Sequence, residues 1–207
     1  IHTGGGSRFY GYAATDAFIK VADDGHVTVI APAPEIGQGS ATVLAQIAAE
    51  VLGLGVEDVT VVNDDTELIP YDLGAWGSRT TFVCGNAVKA AAEQVRAEVL
   101  AAASDLLGVD ASELQLGNKR VFLRDDPARG VSFSEVVLHS INRLGRPISG
   151  RGRYADDLAP QVALDKGYGI HIPTFAFGCQ VGELEVDTDT GQVTVLKVSA
   201  AHDTGRT

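Results

Sequence analysis

Methionine is absent from this 207-residue chain, tryptophan occurs once and cysteine twice. The two cysteines, Cys84 and Cys179, stand far apart with no ligand spacing. That excludes an iron–sulfur cluster or zinc ribbon held within the chain and fits a reducing, cytoplasmic compartment. Long apolar runs are missing too. The most apolar segment, 43–56, is interrupted by Gln46 and Glu50, so no stretch is suited to crossing a bilayer, and no signal-peptide pattern is visible. Positive charge is scarce: 16 Lys and Arg against 27 Asp and Glu give a net charge of −11. Neither nucleic acid nor an anionic membrane surface is expected as a partner. The chain opens at Ile1 rather than at a methionine, so it is expected to be a piece of a longer one from which a targeting segment could have been lost.

What is present fits a globular core. Hydrophobic residues make up 45% and charged residues 21% of the chain, ordinary values for an α/β protein of a size that buries a real core. The chain is organised around Pro34-Glu35-Ile36-Gly37-Gln38-Gly39-Ser40. This stretch follows an alternating apolar run, 27–33, and precedes a helical pattern. A strand, a glycine-rich loop and a helix start place free backbone N–H groups and a positive dipole end together, which suits an anionic or polar ligand. No Lys follows the second glycine, which excludes a Walker A loop, and no third glycine makes a dinucleotide fingerprint. Gln38 offers an amide able to read the edge of a heterocycle. The alternative is a structural βα turn in which the glycines serve conformation alone.

In chain order, 17–21 and 26–31 alternate around Asp23-Asp24-Gly25, a hairpin signal, and Ser40 is a candidate N-cap. Val43, Leu44, Ile47, Ala48, Val51 and Leu52 then recur at helical spacing, with Gly53 as the stop. The run 59–62 returns to the sheet. Residues 63–78 have no regular period and read as a functional loop. Ser78 or Thr80 is expected to cap a second long helix ending near Leu107, whose Gly85 allows close packing or close approach to a ligand. Beyond Gly108 lie short elements at 112–116 and 120–123, a helix over 132–144 capped at Ser132 or Ser134, a basic cluster over 143–153 read as a solvated face, an irregular stretch, and a hairpin of 175–186 with 192–200. Two segments are therefore expected, 1–108 and 109–207.

The two hairpins resemble each other. Ile19-Lys20-Val21 and His26-Val27-Thr28-Val29-Ile30 parallel Leu184-Glu185-Val186 and Gln192-Val193-Thr194-Val195-Leu196. In that register the glycine loop falls opposite Ala201-His202-Asp203-Thr204-Gly205. An internal duplication with its second copy cut short is expected, although alternation alone would account for much of the likeness.

Several short motifs also fall in one order: Glu35-Ile36-Gly37-Gln38-Gly39, Asp65-Thr66, Gly77-Ser78-Arg79-Thr80-Thr81, Gly85-Asn86-Ala87-Val88 and Asp203-Thr204-Gly205-Arg206. With them the chain resembles the molybdenum-cofactor-binding subunit of the xanthine oxidase/aldehyde oxidase family, and its Pro70-Tyr71-Asp72-Leu73-Gly74 wording is most similar to the bacterial branch containing 4-hydroxybenzoyl-CoA reductase. The likeness is thinnest over 110–170. It implies an α/β (α+β) fold of mixed sheets and packed helices, built from hairpin–loop–helix repeats with the second truncated. It further implies a molybdopterin cofactor, as the cytosine dinucleotide, contacted by Gly37, Gln38, Gly39, Gly77, Ser78, Arg79, Thr80, Thr81 and Gly85. The implied substrate is a heteroaromatic, aldehyde or aryl-CoA compound. Iron–sulfur and FAD groups would lie on other domains or subunits of a hetero-oligomer. The family's catalytic glutamate belongs to a later Gly-Glu-Pro-Pro-like motif that does not occur here, so no catalytic residue and no metal ligand is expected in this chain. The rival expectation is a non-catalytic α/β binding or assembly module.

Overall fold

A computed structural model describes residues 2–4, 14–155, 161–163, 168–170 and 174–203. Its first elements are strands β1 (His2–Gly4), β2 (Ala14–Val21) and β3 (Val27–Ile30), helix α1 (Ser40–Leu52) and strand β4 (Val59–Val62). A π-helical turn, Thr80–Cys84, runs into the long helix α2 (Gly85–Leu107). Next come β5 (Leu114–Gly117), β6 (Arg120–Leu123), β7 (Gly130–Ser132), helix α3 (Phe133–Asn142) and β8 (Ser149–Ala155). The short strands β9 (Gln161–Ala163), β10 (Tyr168–Ile170) and β11 (Thr174–Ala176) lead to the hairpin β12 (Gly178–Val186) and β13 (Val193–His202).

The central sheet has the order β4-β3-β2-β8. The period of two in β2 sends Thr15, Ala17, Ile19 and Val21 to the buried face. Against that face lies α2, whose Ala87, Val88, Ala91, Val95 and Val99 are buried at helical spacing. Helix α1 packs beside α2 and buries Leu44 and Leu52, each contributing about 1.5–3 kcal/mol relative to exposure. The buried residues form one cluster from Ala17 to Ile148, drawing on both sides of Gly108.

Two local expectations are corrected. Ser40 is the first helical residue rather than the cap. Gly39, at φ 75°, precedes it, and the Ser40 hydroxyl points inward to the Ala33 carbonyl at 3.1 Å. Neither Ser78 nor Thr80 caps the second long helix: Arg79 holds that place without a side-chain cap, and the first turn is π-helical. The basic cluster is a solvated face as expected, with Arg143, Arg146, Arg151 and Arg153 exposed, and its last part lies in an edge strand, β8, paired antiparallel with β2. Its buried positions are Gly150 and Gly152, with Arg151 and Arg153 outward, so it has no apolar alternation to betray it. The glycines are required: a Cβ on Gly152 would stand 2.0 Å from the Ala87 carbonyl oxygen, because α2 lies directly on the strand.

Sheet β5-β6-β7 adds a third strand to the two short elements expected there. Helix α3 is capped by Ser132, whose hydroxyl accepts from the Glu135 amide at 3.2 Å while Glu135 accepts from the Ser132 amide at 2.7 Å, a capping box. The hairpins β2–β3 and β12–β13 share register where they were expected to correspond: Val21 faces Val27 as Val186 faces Val193, and Ile19 faces Val29 as Leu184 faces Val195. In the second hairpin the register then shifts at Glu183/Leu184. Its apolar residues, among them Val181, Val195 and Val198, are exposed. Of the expected second glycine loop only Ala201, His202 and Asp203 lie within the described residues.

Candidate functional site

Strands β3 and β4 are parallel neighbours joined through α1. Their carboxyl ends therefore emerge at one edge of the sheet, where open α/β sheets bind ligands. From β3 issues the segment 31–39 and from β4 the segment 63–79. Asn63 ties the two together, its buried side-chain amide donating to the Ala33 carbonyl at 2.7 Å. Between them lies a cleft of about 390 Å³ bounded by Pro32 and Pro34 on one side and by Ile69, Tyr71, Asp72 and Gly74 on the other.

The first loop is closed upon itself. Gly37 and Gly39 adopt φ of 94° and 75°, a left-handed backbone that glycine reaches at little cost, and a Cβ at either would meet nothing within 4 Å. The Gln38 side chain accepts from the Ile36 amide at 2.7 Å and donates to the Pro34 carbonyl at 3.0 Å. Glu35 supplies what the α1 amino terminus lacks. Its carboxylate accepts from the amides of Gly37 (2.9 Å), Gly39 (3.0 Å) and Ala41 (3.3 Å) and from the Ser40 hydroxyl (3.2 Å). These donors, the Gly39 amide foremost, hold its pKa below the ordinary glutamate range, so Glu35 is a weak base and an anion at neutral pH. The positive helix end expected to await a ligand thus carries its own carboxylate. Glu35 in this part went unrecognised because a glutamate five residues ahead of a helix matches no common capping pattern.

The second loop is held from inside. Arg79, 1% exposed, is the largest fully buried side chain among the described residues. Its guanidinium takes both oxygens of Asp72, one through Nη2 to Oδ2 at 2.9 Å and one through Nη1, which also donates to the Gly74 carbonyl at 3.0 Å. Removing one member of such a buried pair costs about 3–5 kcal/mol, because the other is left uncompensated. Outside this pair the turn exposes Gly77 and Ser78, and Thr81 follows on the surface with Thr80 half-buried. Ser78 stands at φ 54°, unusual for a residue with a Cβ. Gly85 is buried, and a Cβ there would stand 2.9 Å from Ile47 Cδ1, so of its two expected uses the structure displays the close packing of α2 on α1. The partnership of Asp72 with Arg79 had no sequence signal beyond opposite charge across an aperiodic loop.

Among the described residues, no group of three or more His, Cys, Asp or Glu side chains is gathered to hold a metal ion. No helix there is long and apolar enough to cross a membrane.

The sequence model of the molybdopterin cofactor-binding domain matches residues 2–207. The chain belongs to the molybdopterin cofactor-binding domain family. It is similar, with 34% identity over 190 residues, to the gamma subunit of the 6-hydroxypseudooxynicotine dehydrogenase complex of Paenarthrobacter nicotinovorans, covering 91% of this chain and 22% of that protein. Identity is 30% over 196 residues to the xanthine dehydrogenase molybdenum-binding subunit of Escherichia coli O157:H7, covering 94% and 25%. Among solved structures, quinoline 2-oxidoreductase from Pseudomonas putida 86 superimposes with a TM-score of 0.78 at 25% identity, over 99% of this chain and 26% of that one. The mixed α/β architecture is therefore that of the family, and this chain spans about a quarter of the length of these relatives.

The donor set suits a molybdopterin. The loops beyond the strand ends offer the exposed Ser78 and Thr81 hydroxyls and open space beside Gly37 and Gly39, neutral groups of the kind an oxygen-rich heterocycle takes up, whereas the Gln38 amide is engaged within its own loop.

Proposed function

We propose that these residues form part of the molybdopterin cradle in the catalytic subunit of a molybdenum hydroxylase. The observation that carries this reading is the family match over residues 2–207, with the two family loops issuing from adjacent parallel strand ends. Gln38, flanked by Gly37 and Gly39, and Gly77, Ser78, Thr80 and Thr81 are the contacts. Arg79 supports the second loop from within, and Gly85 sets the packing distance of α2.

When bound, the cofactor supplies two-electron redox chemistry at the substrate carbon. The chain's own residues bind and orient it. Gln38 can turn its amide outward at the cost of two bonds within its own loop, to Ile36 and Pro34. Glu35 keeps that loop and the α1 start in place meanwhile. The substrate is a heteroaromatic, aldehyde or aryl-CoA carbon, and the Pro70–Gly74 wording favours a relationship to the hydroxybenzoyl-CoA reductase branch. The nucleotide form is the cytosine dinucleotide. The whole enzyme is a hetero-oligomer with iron–sulfur and flavin groups outside this chain, and its catalytic glutamate lies outside these 207 residues, so the isolated polypeptide does not turn over.

A second reading, a non-catalytic binding or assembly module, is favoured by the way Gln38 is satisfied within its own loop. Metal analysis together with pterin extraction from the complete enzyme separates the two: molybdenum and a released pterin support the cradle, and the absence of both supports the module. In the loaded enzyme, Gln38→Ala lowers cofactor-dependent activity without unfolding the protein. Unchanged activity removes Gln38 from the contacts.

A further inference from the structure

The turn bearing Gly77 and Ser78 is exposed to solvent, and beneath it lies the buried ion pair of Asp72 with Arg79. We propose that Asp72 and Arg79 form a positioning clamp that fixes this turn for the cofactor, governing how firmly the group is retained without touching it. The proposal rests on the reading of the chain as a molybdopterin cradle.

Three hydrogen bonds tie the two legs of the turn and a fourth braces the first leg. Two join the Arg79 guanidinium to the Asp72 carboxylate, one runs from Arg79 to the Gly74 carbonyl, and one returns from the Gly74 amide to Asp72 Oδ1 at 2.7 Å. Both side chains are buried, at 1% and 2% exposure. Between the legs the backbone is left-handed at Gly74, Gly77 and Ser78. A serine stays in that region only where its surroundings over-determine it, and the clamp closes one residue beyond it. The Arg79 backbone carries the constraint forward: its carbonyl accepts from the Val83 amide at 2.7 Å and opens the π turn that presents Thr80 and Thr81. Such turns are frequent at functional sites.

For stability alone the arrangement is a poor one. A buried ion pair is often matched or exceeded by apolar residues of similar volume, and here Arg79 Nε is buried without a partner among the described residues. Its advantage is geometric, since a planar fork on a carboxylate sets orientation as well as distance.

The test uses the complete enzyme and reads molybdenum and pterin per folded molecule, together with the half-time of pterin release. Asp72→Leu/Arg79→Met removes the pair without stranding a charge. It is expected to fold and to retain cofactor about 10–100-fold more weakly, the range found when groups supporting a ligand shell are removed. Arg79→Lys keeps the charge but not the fork and is expected to fall between the double variant and wild type. Wild-type content and release in the double variant, whatever its melting temperature, overturn the clamp. Should the double variant not fold, wild-type release in Arg79→Lys overturns it. A wild-type enzyme that contains neither molybdenum nor pterin overturns the cradle reading itself, and the clamp with it.

Discussion

The Glu35 carboxylate lies 3.0 Å from the Gly39 amide at the start of α1. With Gly37 at 2.9 Å and Ala41 at 3.3 Å on the same carboxylate, the helix end is neutralised from within its own loop. Any ligand at this edge therefore meets a helix end whose dipole Glu35 already offsets.

Glu35→Gln tests that cap through pH. The folded state holds the Glu35 pKa down, chiefly through the Gly39 amide. A carboxylate depressed on folding contributes stability above its ordinary value, about 4.3, and loses it as pH falls through the depressed value. Melting temperatures measured from pH 7 to pH 2 should therefore show a drop below about pH 4.3 that is steeper in wild type than in Glu35→Gln. Parallel curves would mean that the carboxylate does not cap the helix in solution.

Gly152→Ala tests how closely α2 lies on β8. The added carbon would fall 2.0 Å from the Ala87 carbonyl and 2.3 Å from the Ala91 amide nitrogen, both backbone atoms that cannot swing aside. A loss of about 3 kcal/mol is expected in chemical denaturation. Gly182→Ala, with nothing within 4 Å of its Cβ position, should change stability by less than about 0.5 kcal/mol. Equal effects at the two sites would contradict the packing.

Thiol labelling tests the interior beneath the second loop. Cys84 is buried, and burial, reinforced by the Asp72 charge, pushes its thiol up to about 11. At pH 8 only about one part in a thousand is then thiolate. One equivalent, Cys179, which is exposed, should react with a maleimide promptly, and Cys84 only after unfolding. Two fast equivalents would show the α2 start to be open.

Much of this fold was legible because local signals agreed with one another. The Asp23–Gly25 turn, the period of two in β2 and β3, the helical spacing of α1 and the Ser132 or Ser134 cap each named its element. Strand β8 escaped because its buried residues are glycines, invisible to a hydrophobic pattern and explained only by the helix that presses on them. The geometry of the candidate site was only partly legible. Gln38 and the Gly77–Thr81 stretch stood out by motif, whereas Glu35 and Asp72 act through partners that no short spacing rule connects.

Hydrogen–deuterium exchange tests the shared cradle most directly. The complete enzyme from cells that make the pterin is compared with enzyme from cells that cannot. The account predicts that cofactor slows exchange together in the peptides holding Gly37–Gly39 and Gly77–Thr81, while β5–β7, which form a separate sheet, are unchanged. Protection of neither loop, or of one without the other, would contradict it.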